Sequence, residues 1–224
     1  MKSFVPLLAV AVLLAACGAD STATPTPAAA CPTEAPTSVS AQATLEDVQR
    51  ATLQIGGAVQ GEMVMELYAT EAPIATASFV ALARCGFYDG ITFHRVIPGF
   101  VIQAGDPGTR DNQGDFQGLG AGGPGYEFEI EPPADGLRYD PYTVAMANDS
   151  RTNGSQFFIG LADLDQQLRA VGVYTIFGKV IEGTDVVDAI AQVPVSGTDL
   201  PLTPVIIESI TISSGSGPQP SPGE

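Results

Sequence analysis

Between about Leu45 and Ile212 a glycine or proline interrupts the chain every ten residues or so, leaving only short alternating or apolar runs between interruptions. Such punctuation excludes long helices and favours short strands joined by turns. Ala51 to Ile55 and Glu62 to Leu67 form a predicted hairpin around Gly56-Gly57, its second strand alternating polar and apolar residues. Pro73 to Cys85 is a predicted helix, with proline in the first turn, an apolar stripe through Ile74, Ala77, Phe79, Val80, Leu82 and Ala83, and Gly86 as a stop. A second helix, Asp185 to Gln192, is expected after Thr184 as its cap, with Val186, Val187, Ile190 and Ala191 at helical spacing. Val205 to Ile212 supplies a last strand. Many short strands with two isolated helices predict a mainly β fold, a closed barrel covered at its ends, which removes free sheet edges.

The flanks are of another character. Lys2 followed by the apolar run Phe4 to Ala16 is too short to span a bilayer and predicts a signal peptide over residues 1–16. Leu14-Ala15-Ala16-Cys17 resembles a bacterial lipobox, so Cys17 is the expected lipidation site and the protein is expected outside the cytoplasm, held to a membrane by an N-terminal lipid anchor. Residues 17–44, rich in Ala, Thr, Pro and Ser, form an expected tether, and residues 213–224 an expected disordered tail. One domain, residues 45–212, remains, and a monomer is the expected state. With 9 basic against 25 acidic residues and a net charge of -16, the chain lacks the basic patch that nucleic-acid binding needs.

Two blocks carry chemistry. In Phe93 to Asp106, FHRVIPGFVIQAGD, strands Thr92 to Ile97 and Phe100 to Ala104 flank Pro98-Gly99, and period-two alternation puts Val101 and Gln103 on one face. In Met146 to Ile159, MANDSRTNGSQFFI, Gln156 and Phe158 project to one side, and Phe157 and Ile159 to the other. One side fills a core; the other lines an apolar pocket rimmed by Arg95, Gln103 and Asn148 that can receive an apolar ring with its flanking backbone.

These blocks, with ELYATEAPIATASFVALARCGFYDG from Glu66 and FGKV from Phe177 to Val180, resemble the cyclophilin family of peptidyl-prolyl cis-trans isomerases. The resemblance implies a closed eight-stranded antiparallel barrel with two helices and catalysis of X-Pro rotation without cofactor or metal. Matched position by position, it implies Arg95 as the catalytic arginine, and Phe100, Val101 and Phe158 as the proline pocket. Gln103, Ala147, Asn148 and Gln156 become substrate-binding positions, and the partners are proline-containing peptides and unfolded or exported proteins. This sequence also departs from the family: Val101 stands where methionine is usual, Tyr174 replaces a histidine of the best-known members, and there is no tryptophan. LADLDQQLRAVGVYTIFG replaces a shorter loop, with Leu164 or Leu168 at the missing tryptophan's place, which argues against tight cyclosporin binding. The alternative is a noncatalytic peptide-binding or holdase module; Arg95 favours the enzyme, because a pure binder has less need of it.

Other residues have simpler readings. His94, the sole histidine, alternates away from Arg95 and is expected to pack structurally. Glu127, Glu129 and Glu131 alternate with Phe128 and Ile130, the pattern of a solvated strand face rather than of paired catalytic carboxylates. GDFQGLGAGGPG lacks the context of a phosphate loop and is an expected flexible loop near the groove. Cys31 and Cys85 are free to pair in an oxidising compartment, but the sequence leaves their geometry open.

Overall fold

The computed structural model describes residues 30–45, 48–110 and 120–214. The signal segment, Cys17, most of the tether, residues 111–119 of the glycine-rich region and the tail from residue 215 lie outside the described residues.

One antiparallel sheet organises the domain. Its strands are β1 (Val48–Gly57), β2 (Gly61–Leu67), β3 (Arg95–Ile97), β4 (Val101–Ala104), β5 (Phe128–Glu129), β6 (Thr143–Asn148), β7 (Thr152–Gly160), β8 (Ile176–Glu182) and β9 (Val205–Ser214). They run in the order β3-β4-β7-β6-β8-β2-β1-β9, with β5 added to β7. The expected β1–β2 hairpin is present, from Arg50 opposite Glu66 to Ile55 opposite Gly61.

The closed barrel is not. The sheet curls into an open half-barrel whose end strands, β3 and β9, form no ladder with each other. The cause lies in the segment expected as a strand from Thr92 to Ile97, which changes partner midway. Gly90 and Phe93 donate to the Ile207 and Val205 carbonyls at 2.8 and 2.9 Å, with one isolated bridge from Thr92 to Ile206, whereas His94 already donates to Gln103 on β4. The segment leaves β9 before it joins β4, so the seam is spanned by a few bonds rather than by a continuous ladder.

Four helices form among the described residues, where two were expected: α1 (Ser38–Leu45), α2 (Pro73–Arg84), α3 (Asp165–Val171) and α4 (Thr184–Ile190). Helix α1 occupies the end of the segment read as a tether. Thr37 and Ser40 exchange backbone-to-side-chain bonds in the manner of a capping box, and the segment is fastened to the end of α2 by a disulfide between Cys31 and Cys85. Helix α3 arises in the long segment before Tyr174. In α4 the residue at the cap is Gly183, in the left-handed region at φ 73°, and Thr184 is already helical rather than capping.

Helix α2 has no cap of its own at Ala72. Glu131 supplies it, accepting the N–H groups of Ile74 at 2.9 Å and Ala75 at 2.8 Å. The solvated-face reading therefore fails at Glu131, whose half-buried carboxyl is raised in pKa by desolvation against those two bonds. Packing of α2 on one face of the sheet makes the main core, where the Phe79 ring lies 5.2, 5.8 and 5.3 Å from Tyr88, Phe157 and Phe177. A second, smaller cluster occupies the other face.

Candidate active site

The second cluster begins with strand register. Arg95 on β3 pairs with Gln103 on β4, Gln103 with Phe158 on β7, Phe158 with Ala145 on β6, and Ala145 with Ile176 on β8. Directly paired residues point to the same face, so these five side chains form one rung across the sheet. Their chain neighbours Val96, Ile102, Phe157 and Met146 fill the main core behind them. A rung that runs from a guanidinium through an amide to apolar groups is a groove with one charged end.

Val101, Ala145, Phe158, Leu164, Leu168 and Ile176 are buried in this cluster, and Phe100, Ala147 and Tyr174 pack against it. Both leucines of the long loop thus reach the wall; α3 carries Leu168 and its N-terminal edge carries Leu164. Tyr174 meets Phe158 edge-on at 5.6 Å between ring centroids. Tyr139, which sequence reasoning missed, fixes that wall: its hydroxyl donates to the Tyr174 carbonyl at 2.7 Å and accepts the Tyr174 N–H at 3.1 Å. No local pattern marks Tyr139, because its partner lies 35 residues away. Tyr68 packs on the same cluster, and burial, with Glu66 and Glu71 nearby, pushes its phenol up to about 12.

Arg95 stands half-buried at the polar end. Its carbon Cζ lies 6.0 Å from the centre of the Phe100 ring, and Nη1 makes only a long 3.5 Å contact to Gln103 Oε1. Its guanidinium is thereby oriented yet keeps donors free for another acceptor. Gln103 Nε2 donates to Gln156 Oε1 at 3.0 Å, and Gln156 Nε2 donates to the Gly122 carbonyl at 2.8 Å.

Beyond Gln103 and Gln156 a cavity of about 890 Å³ opens, lined also by Tyr126, Glu127, Ala147, Asn148 and Asp149. Asn148 is held at its rim, Nδ2 donating to the Val173 carbonyl at 2.9 Å and Oδ1 accepting the Ser150 N–H at 2.9 Å. All the expected groove residues therefore meet around one site, in two adjoining parts: the apolar pocket and this polar cavity. The described end of the glycine-rich loop, Gly120 to Gly125, borders the cavity as expected.

His94 is buried, 7% exposed, and neither ring nitrogen has a hydrogen-bond partner. Among the described residues no group of three His, Cys, Asp or Glu side chains is placed to hold a metal. What the site brings together is an apolar grip, an amide pair and one positive charge.

Comparison with known proteins agrees with this architecture. The family profile described as cyclophilin type peptidyl-prolyl cis-trans isomerase/CLD matches residues 50–212. The chain is similar to peptidyl-prolyl cis-trans isomerase A of Mycobacterium tuberculosis, 43% identical over 175 residues that cover 69% of this chain and 88% of the relative. It is similar also to peptidyl-prolyl cis-trans isomerase-like 3 of Dictyostelium discoideum, 37% identical over 157 residues, 68% of this chain and 89% of that one. Among solved structures, a cyclophilin type isomerase of Cryptosporidium parvum superposes with a TM-score of 0.64 at 33% identity, covering 75% of this chain and 99% of that chain. A second structure, in the presence of the dipeptide Ala-Pro, gives a TM-score of 0.63 at 34% identity, covering 75% of this chain and 100% of that chain.

Proposed function

The chain belongs to the cyclophilin family and is a peptidyl-prolyl cis-trans isomerase; from that premise we propose that Arg95 is its catalytic residue and that the rung from Arg95 to Ile176 binds the substrate.

Rotating an amide costs about 18–20 kcal/mol because the C–N bond has partial double-bond character. In the twisted state the nitrogen lone pair is localised and becomes a hydrogen-bond acceptor, which it is not in the planar state. A guanidinium that donates to that nitrogen therefore stabilises the transition state more than either planar state, and this difference lowers the barrier. Phe100, Val101, Phe158 and Tyr174 grip the prolyl ring as the fixed part. Gln103, Gln156, Ala147 and Asn148 hold the peptide on either side, so that rotation is confined to one bond. The observation that carries this reading is the position of Arg95, oriented by Gln103 over Phe100 with free donors beside the apolar pocket. A structure of a related isomerase in the presence of Ala-Pro supports proline-containing peptides as ligands. A holdase without catalysis is the less favoured reading, since it leaves Arg95 unexplained.

We propose the location on different observations. The lipobox at Cys17 and the disulfide between Cys31 and Cys85 support a lipid-anchored protein in an oxidising extracytoplasmic compartment, because reduced cytosolic conditions disfavour such bonds. There the clients are exported chains, whose uncatalysed X-Pro isomerisation takes tens to hundreds of seconds. Mass spectrometry of the mature N-terminus reads the anchor directly, and an unmodified Cys17 refutes it.

A protease-coupled assay on a prolyl peptide tests the catalytic role. Loss of one transition-state donor is expected to slow Arg95→Ala by about 10²–10³-fold. An Arg95→Ala variant as fast as the parent protein overturns the assignment.

A further inference from the structure

Asp106 is a buried carboxylate that the mechanism above does not use. It follows β4 in the sequence Gly105-Asp106-Pro107-Gly108 and is 1% exposed. Among the described residues no ion pair includes it. Backbone N–H groups carry its charge instead: Oδ1 accepts from Gly108 at 2.8 Å, and Oδ2 accepts from Gly120 at 2.7 Å and Gly122 at 3.2 Å. Three bonds to one buried carboxylate hold two separate loops at a fixed distance. The fit at Gly122 is close, since a Cβ there would lie 2.1 Å from Asp106 Oδ1.

What that clamp holds in place is the carbonyl of Gly122, the end of the amide chain that leads to Arg95. The chain has a direction. Gln156 Nε2 donates to the Gly122 carbonyl, which leaves Gln156 Oε1 facing Gln103; Gln103 Nε2 donates to that Oε1, which leaves Gln103 Oε1 facing the guanidinium. Remove the terminal acceptor and Gln156 is free to reverse its amide. Gln103 then presents N–H groups to Arg95, donor against donor, and the guanidinium loses its orientation over Phe100.

We propose that Asp106 is a positioning residue for the isomerase reaction, acting on Arg95 through Gly122, Gln156 and Gln103. This rests on the catalytic assignment of Arg95. The apolar pocket that grips the prolyl ring is outside the chain of contacts, so turnover falls further than peptide binding weakens, even though Gln103 and Gln156 also hold the peptide.

Two variants of the full chain test it. Asp106→Asn keeps the shape but replaces one acceptor oxygen by a donor. Gly122→Ala keeps the carboxylate but puts a Cβ 2.1 Å from its Oδ1, which forces the loop and the carboxylate apart. Each is expected to lower kcat about tenfold with a smaller rise in KM, about threefold at most, a size typical of coupled neighbours. In an Arg95→Ala background Asp106→Asn is expected to slow the reaction no further, because its effect runs through the missing guanidinium. Wild-type kcat in both variants, or an equal slowing by Asp106→Asn with and without Arg95, overturns the proposal. If Asp106→Asn does not fold, Gly122→Ala decides alone by the same criteria. An inactive Arg95→Ala beside fully active Asp106→Asn and Gly122→Ala leaves the catalytic reading standing and removes only this inference.

Discussion

At the scale of single residues, neighbours in the chain do opposite work. Phe157 points into the main core and Phe158 into the groove, a division that two-residue alternation made legible from the sequence alone. Phe157→Ala is expected to cost about 3–5 kcal/mol of stability, as large aromatic deletions from a core do. Phe158→Ala is expected to weaken peptide binding at least tenfold with a smaller loss of stability; urea unfolding and peptide titration separate the two, and equal effects on both readouts contradict the division. His94 was legible as a packed residue by the same alternation. Burial holds its pKa below the ordinary 6.5, against the Asp106 carboxylate and with Arg95 adding to the lowering. A depressed folded pKa means that the unfolded chain takes up the proton first, so stability is full above about pH 6.5 and falls as pH drops below it. Unfolding free energies at pH 5.5 and 7.5 are expected to diverge less in His94→Phe than in the wild type. Asp106 was not legible, since a buried carboxylate that ties two glycine loops leaves only an Asp-Pro-Gly turn signal.

At the scale of elements, periodicity found β2, α2 and α4 but not the contacts that finish them. Glu131 reads as one tooth of a polar alternation, yet it reaches across 57 residues to cap α2, and no local pattern encodes a cap at that separation. Glu131→Ala is expected to cost about 1–2 kcal/mol, the usual loss for a removed cap, and Glu131→Gln about half as much because one acceptor remains; equal stability of Glu131→Ala and wild type in urea contradicts the capping role. Helix α1 stayed hidden because Ala, Thr, Pro and Ser dominate its surroundings, while its start rests on a reciprocal Thr37–Ser40 contact. The disulfide at Cys31 and Cys85 joins residues 54 apart, and replacing both by serine is expected to remove about 2–4 kcal/mol of stability. Because neither cysteine touches the groove, kcat/KM is expected to be unchanged, and a drop in parallel with stability contradicts that separation.

At the scale of the whole molecule, the half-barrel stays open where the segment from Gly90 to His94 passes from β9 to β4, a change of partner that strand patterns cannot express. The fold class, the rung and the pocket were readable because they depend on alternation and on long matching blocks; the open seam depended on which carbonyl each of Gly90 to His94 meets. Net charge acts at this scale too. With -16 spread over the chain and Arg95 the cation of the groove, basic peptides are expected to reach the site faster than acidic ones, and the difference is expected to shrink as salt screens it over about 10 Å. Equal kcat/KM for Lys-rich and Glu-rich prolyl peptides at low salt contradicts that steering. The central claim is narrower: Arg95 stabilises the twisted amide without being needed to hold the planar one. NMR exchange spectroscopy on a bound prolyl peptide measures on-enzyme interconversion separately from affinity. Arg95→Ala is expected to slow that interconversion by about 10²-fold or more while the dissociation constant stays within about threefold. Unchanged interconversion on the variant, or a loss of affinity as large as the loss of rate, contradicts it.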